Sequence, residues 1–278
     1  MDGASVLPLR PLTLGELLDA AVALLRRHAT VLLAVALVLC AAEQAVLYPL
    51  RRMAVVQPPW YFPPYSDRLG EYWLMLGVGF ATEAVIIALL GCLTTRGARA
   101  ALSGEPVRGR RLLSPRGGRF GPALVAALVV GVVAVLASLA GLVPWVVGYG
   151  LVGLVVPALV VERAGPFSAL IRSVSLSCRA GLRGCGIRLV GYLGWLAIRV
   201  ALGAGGLAAL EFVLPVTGTW VTVLSVGTWI AVNALAYAML ACLDAVLYLE
   251  TRMRTEGLDL TIALNRRRHT APDLAVRR

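Results

Sequence analysis

The 278-residue chain is 59% hydrophobic and only 15% charged, with a mean hydropathy of +0.82. Those values exclude a soluble domain and point to one polytopic, all-α membrane domain over residues 1–278. The net charge is +11 and all 26 basic residues are arginine, as the codon usage of a GC-rich bacterial genome would give; because they are spread over short loops beside apolar runs, nucleic acid is excluded as a partner.

Residues 1–28 are read as ending in an amphipathic interfacial helix. Thr13 and Glu16 have capping-box spacing, and Leu14, Leu17, Leu18, Ala21, Leu24 and Leu25 form one face. Spans are expected at about 29–50, carrying Glu43 and Gln44, and 71–95, carrying Glu83 near its middle. The first apolar run starts only after Arg26-Arg27-His28, so it is expected to be a retained span and not a cleaved signal. Between these spans, the run from Pro58 to Tyr65 (PPWYFPPY) forbids a helix and suits the membrane–water interface, as an aromatic belt on a stiff turn or as a lid.

Residues 96–119 hold seven arginines against one acid and are expected on the cytosolic side. The uncharged run that follows is too long for one helix, so it is divided into spans at 120–143 and 145–161 with the break at Pro144-Trp145. In 162–188, Gly165-Pro166 starts a second interfacial helix. Phe167, Leu170, Ile171, Val174, Cys178 and Leu182 line its apolar face, and Arg172, Arg179 and Arg183 lie on the flank, where they are expected to meet anionic lipid phosphates. The fifth span, 189–210, contains Arg199 and a stripe of small residues, Ala197, Ala201, Gly205 and Ala209, suited to close helix contact. The sixth, 220–249, contains Asn233 and emerges past Asp244, which with Glu211 is read as interfacial; 250–278 is a cytosolic tail. Of the 26 arginines, 22 fall in the four segments assigned to the inside, so both termini are expected in the cytosol of a bacterial cell membrane. Each pair of spans follows a short basic or amphipathic segment, at 13–28, 106–118 and 166–184, a weak three-fold repeat.

Neither histidine lies in a span, there is no HExxH or Walker sequence, and Asp244 has no intramembrane aspartate partner. No catalytic residue, cofactor or metal is therefore expected, and the chain is not read as an enzyme. The five cysteines have no disulfide spacing and are read as small apolar fillers. Glu43, Glu83, Arg199 and Asn233 are the polar groups expected at membrane depth, either as a solute or proton path or as internal pairs that fix helix register. Arg199 and Glu83 both lie about ten residues, roughly 15 Å, into their spans and are expected to pair.

Three stretches carry a resemblance: Arg10-Pro11-Leu12 through Gly15-Glu16-Leu17-Leu18-Asp19; Pro157, Glu162-Arg163, Gly165-Pro166-Phe167 through Leu170 and Arg172-Ser173; and Leu247-Tyr248-Leu249 through Arg252, Arg254 and Glu256 to Leu260. They resemble the membrane domain that precedes the catalytic barrel in bacterial membrane-anchored glycerophosphodiester phosphodiesterases. The barrel itself is absent from this sequence, so the resemblance implies a membrane fold and no phosphodiesterase activity. The expectation is a non-enzymatic scaffold or accessory protein of the cell envelope that holds anionic lipid and an envelope protein, with a small transporter using Glu43, Glu83 and Arg199 as the alternative.

Overall fold

A computed structural model describes residues 10–56, 66–103, 109–114, 119–213 and 219–267. The proline-aromatic loop from Pro58 to Tyr65, most of the 106–118 segment, the Glu211 side chain and the end of the tail lie outside the described residues. Within them the fold is all-α, and six helices are long and apolar enough to cross a membrane: Leu14–Met53, Leu69–Leu102, Phe120–Leu139, Leu142–Glu162, Arg183–Ala209 and Trp220–Glu256.

The first helix, α1 (Leu14–Met53), starts where the sequence places it. Thr13 is extended, its side chain accepts from the Glu16 N–H, and the Glu16 carboxylate accepts from the Thr13 N–H at 2.8 Å. The amphipathic segment is not a separate surface helix. It continues into the first span as one 40-residue helix, about 60 Å long, bent at His28, whose imidazole is buried against Gly97. A side chain on Gly97 would come within 3.0 Å of that ring, so glycine is what lets the bend seat.

The second span belongs to α2 (Leu69–Ser103), followed by the short α3 (Gly109–Leu112) and by α4 (Phe120–Leu139). α4 buries Ala123, Ala127, Gly131, Ala134 and Ser138 and exposes Leu124, Leu128, Val132 and Leu136. Small residues make the helix contact and branched ones face outward, as packing without a hydrophobic drive between helices requires. The break before the fourth span falls at Ala140-Gly141 and not at Pro144-Trp145: Gly141 takes φ +126°, which glycine alone adopts freely, and Pro144 sits in the first turn of α5 (Leu142–Val152), where a missing N–H costs nothing. Trp145, expected at the break, is buried.

After α6 (Val155–Glu162) and α7 (Pro166–Arg179), α8 (Arg183–Val200) passes through a π-helical turn, Ala201–Gly205, into α9 (Gly206–Val213). The stripe Ala197, Ala201, Gly205 and Ala209 points away from the bundle. The packing face holds Gly191, Tyr192, Arg199, Gly203 and Leu207 instead, because the charged Arg199 must turn inward and carries the rest of the helix face with it. The last long helix, α10 (Thr219–Glu256), precedes α11 (Leu258–Arg267). Every residue from Ala236 to Met253 is buried, so α10 is the central helix, enclosed by α1, α2, α6, α7 and α8. Its start faces the loop end of the bundle, and its close meets Leu12 at what is here the terminal end.

Candidate functional site

Arg199 and Glu83 lie deep in the bundle, and they pair. Arg199 Nη1 is 3.1 Å from Glu83 Oε2, with both side chains almost fully buried. Tyr192 OH donates to the same oxygen at 3.4 Å, and the guanidinium lies between the rings of Tyr192 and Tyr237, 5.7 and 5.3 Å from their centroids. Glu43, on α1, is buried beside this pair and accepts from Thr82 Oγ1 at 3.0 Å and Tyr237 OH at 3.3 Å. Three of the four polar residues expected at membrane depth therefore converge, with the guanidinium paired to Glu83 and Glu43 held by hydroxyl groups beside them. Asn233 is buried one turn before Tyr237 on α10. Its Oδ1, Glu83 Oε1 and Arg199 Nε accept or donate no hydrogen bond among the described residues. The π-helical turn begins two residues after Arg199, and Gly203 within it lies beneath Trp229, where a side chain would come within 2.8 Å of the indole.

A second buried pair was hidden in the sequence. Asp244, read as interfacial, is 5% exposed and takes a two-pronged pair from Arg188, Nε to Oδ1 at 2.6 Å and Nη2 to Oδ2 at 3.0 Å. Arg188, assigned to the cytosolic segment, is 3% exposed. Its guanidinium stacks 4.0 Å from the Tyr149 ring centroid and lies over Gly153, between α5 and α6, where any side chain would collide with it. Arg188, Tyr192 and Arg199 stand at i, i+4 and i+11, one face of α8, so the two arginines are about 16 Å apart along the axis. Phe80, Trp145, Tyr149 and Tyr192 bridge them, with successive centroids 4.6, 5.4 and 5.0 Å apart. A cavity of about 20 Å³ adjoins Arg188 and Asp244, the size of a single water site and too small for a substrate.

At the terminal end the basic flank of α7 turns into the protein. Arg172 Nε donates to Glu162 at 2.8 Å and its Nη2 to Glu256; Arg252 Nε donates to Glu256 at 2.8 Å, and Tyr248 OH to Glu162 at 2.6 Å. Burial works against the charge of Arg172, but its hydrogen bonds to Glu162 and Glu256 outweigh it and hold the guanidinium above its ordinary range. Arg183 Nη1 reaches both oxygens of Glu250, at 3.0 and 3.1 Å, while Arg183 and Arg254 each donate to the Leu12 carbonyl at 3.0 Å. Arg254 also pairs with Glu250, which is 1% exposed. The third of the stretches that carry the family resemblance thus touches both of the others, the first through Arg254 and the Leu12 carbonyl and the second through Glu256 and Arg172. Arg172 is committed to Glu162 at the end of α6 and Glu256 of α10, and Arg183 to Glu250 of α10, a correction to their expected lipid-facing orientation; Arg179 is exposed. The buried side of α7 is Ala169, Ser173, Leu176 and Ser177, and Phe167 and Ile171 face outward.

The cysteines are all free: Cys40, Cys92 and Cys242 are buried, Cys185 is half-buried and Cys178 exposed. Compared with models of protein families, with curated proteins and with solved structures, the chain matches none.

Proposed function

We propose that this protein is a non-enzymatic integral membrane scaffold or accessory protein of a bacterial cell envelope, with both termini in the cytosol, where it holds anionic lipid and an envelope protein partner. The observation that carries the reading is that the buried guanidinium groups of Arg188 and Arg199, and the half-buried ones of Arg172 and Arg183, are spent on carboxylates of helices far apart in the chain. Such pairs fix register and leave outward faces of leucine, valine and isoleucine for lipid and partner. Arg179 is the member of the α7 flank whose exposure suits a headgroup. The contacts that the third resemblance stretch makes with each of the other two support kinship with the membrane domain of the membrane-anchored glycerophosphodiester phosphodiesterases. Purification in mild detergent followed by mass spectrometry of bound lipids and proteins tests the reading. Anionic lipid enriched over its bulk share, with one recurrent partner, supports it; bulk-like lipid and no partner overturns it.

One observation favours a second reading, a small transporter: Glu43 is buried beside the Arg199–Glu83 pair and accepts from hydroxyl groups only, so among the described residues the site has a carboxylate without a cation of its own. Proton- or ion-driven uptake by proteoliposomes that vanishes in Glu43→Gln would replace the scaffold reading; the absence of such uptake leaves it in place.

A further inference from the structure

Four acids are buried among the described residues. Glu83, Asp244 and Glu250 each have an arginine nitrogen within 3.1 Å, and Glu43, 4% exposed, has none. Arg51, two turns further along α1, donates to Gln44 at 2.7 Å. Residues 1–9, 57–65 and 214–218, outside the described residues, contain no arginine, lysine or histidine. The arginines of 104–108, 115–118 and 268–278 belong to segments joined to α3, α4 and α11, and α3 meets α1 at Val31, twelve residues or about 18 Å short of Glu43.

The hydrogens around Glu43 can be counted. Thr82 Oγ1 lies 3.0 Å from Glu43 Oε1 and 2.9 Å from the Gly79 carbonyl oxygen, two acceptors for one hydroxyl hydrogen. Tyr237 OH, 3.3 and 3.4 Å from the two Glu43 oxygens, brings one more. An ionised Glu43 would have these two neutral donors only, and Thr82 would have to give up its bond to Gly79 to serve it. One added proton completes the set: Glu43 Oε1–H donates to Thr82 Oγ1, Thr82 donates to the Gly79 carbonyl, and Tyr237 donates to Glu43 Oε2. It also balances the charge. Ionised together, Glu43 and Glu83 would set two negative charges against the single positive charge of Arg199, and a buried carboxylate without a cation is costly enough to take up a proton instead. The titratable groups gathered around this cluster are Cys40 on α1, Glu83 on α2, Tyr192 and Arg199 on α8 and Tyr237 on α10.

We propose that Glu43 is a proton-binding site: in the closed bundle it is a neutral carboxylic acid that donates to Thr82, and Glu83 alone is ionised against Arg199. The proton comes from water and resides on Oε1. Its loss leaves two carboxylates, from α1 and α2, competing for one guanidinium of α8, so the bound proton is what keeps the Arg199–Glu83 pair exclusive. The assignment rests on neither the scaffold nor the transporter reading, and its test involves neither bound lipid nor uptake.

The test is infrared spectroscopy of the full chain at neutral pH, in H2O and in D2O, in a maltoside detergent, which has no ester carbonyl to mask the signal. The parent is expected to show the carbonyl band of a protonated carboxyl group, moving to lower frequency in D2O. Glu43→Gln should fold, because its amide can donate to Thr82 as the neutral acid does, and should lack the band. Thr82→Val is the second variant: it keeps the acid and removes its acceptor, so the band should persist and move to higher frequency. A parent without the band overturns the proposal, and so does a band that survives Glu43→Gln, which would place the proton on another acid. Should Glu43→Gln fail to fold, Thr82→Val decides: a band that moves supports the proposal and one that stays where it is in the parent overturns it.

Discussion

An arginine about 15 Å from either end of its span costs at least about 2.5–3.5 kcal/mol to insert unless something answers its charge. Glu83 answers Arg199, Asp244 answers Arg188, and both pairs are buried. Removing one partner strands the other, so Glu83→Gln and Arg199→Gln are each expected to lose about 3–5 kcal/mol, and the double variant to recover most of it. Thermal unfolding of the four proteins in one detergent gives the coupling directly; additive losses would refute a structural pair. Asp244→Asn should behave as Glu83→Gln does, with Arg188→Gln as its rescuer. The first pair was legible in the sequence because depth along two spans can be counted from their ends. The second was not. A charge beside an apolar run is assigned to the membrane edge by default, and the partner that draws it inward sits on another helix 56 residues away. The signal that was there is the i, i+11 spacing of Arg188 and Arg199, which puts them on one helix face.

Helices here are shaped by where glycine allows another group to approach. Gly153 sits under the Arg188 guanidinium at the interruption between α5 and α6, and Gly79 has open space where a side chain would go. Gly153→Ala should therefore push Arg188 from Asp244 and cost about 3–5 kcal/mol, while Gly79→Ala should be neutral or stabilising by up to about 1 kcal/mol. Unfolding temperatures of the two single variants decide it, and equal effects would mean that Gly153 is only a helix weakness. The six spans were legible from apolar length, and the α1 and α7 starts from Thr13 and Pro166. The facing of α7 was not, since a basic flank beside a membrane reads as lipid-facing until Glu162, Glu250 and Glu256 arrive from other helices. Likewise a stripe of small residues marks a possible contact face on α8 and α9, but burying Arg199 decides which face packs.

At the scale of the molecule, the arginine distribution is the ground for proposing that the termini lie inside. A cysteine placed at Ser66 should be modified by an impermeant thiol reagent from outside and one at Ser114 should not; the reverse pattern would invert the topology. Glu250, nearly fully buried, is the knot of the terminal network, joining α8 and α10 and, through Arg183 and Arg254, the Leu12 carbonyl. Glu250→Gln is expected to cost about 3–5 kcal/mol, because two guanidinium groups lose their shared counter-charge. It should also make the chain ahead of α1 open to protease in a limited digest, whereas a digest unchanged from the parent would place the hold on the N-terminal segment elsewhere.

The pairing of early and late helices also has a consequence for synthesis. Glu83 is translated 116 residues before Arg199, and Glu43 is 194 residues ahead of Tyr237. At 5–20 residues per second, the acidic spans must wait roughly 6–23 s for the guanidinium. During that interval the first two helices have carboxylates and no guanidinium for Glu83, so they are expected to stay beside the insertion machinery or a chaperone and not to disperse in lipid. Completion of the fifth span supplies the guanidinium, and that of the sixth, the central α10, lets the bundle close.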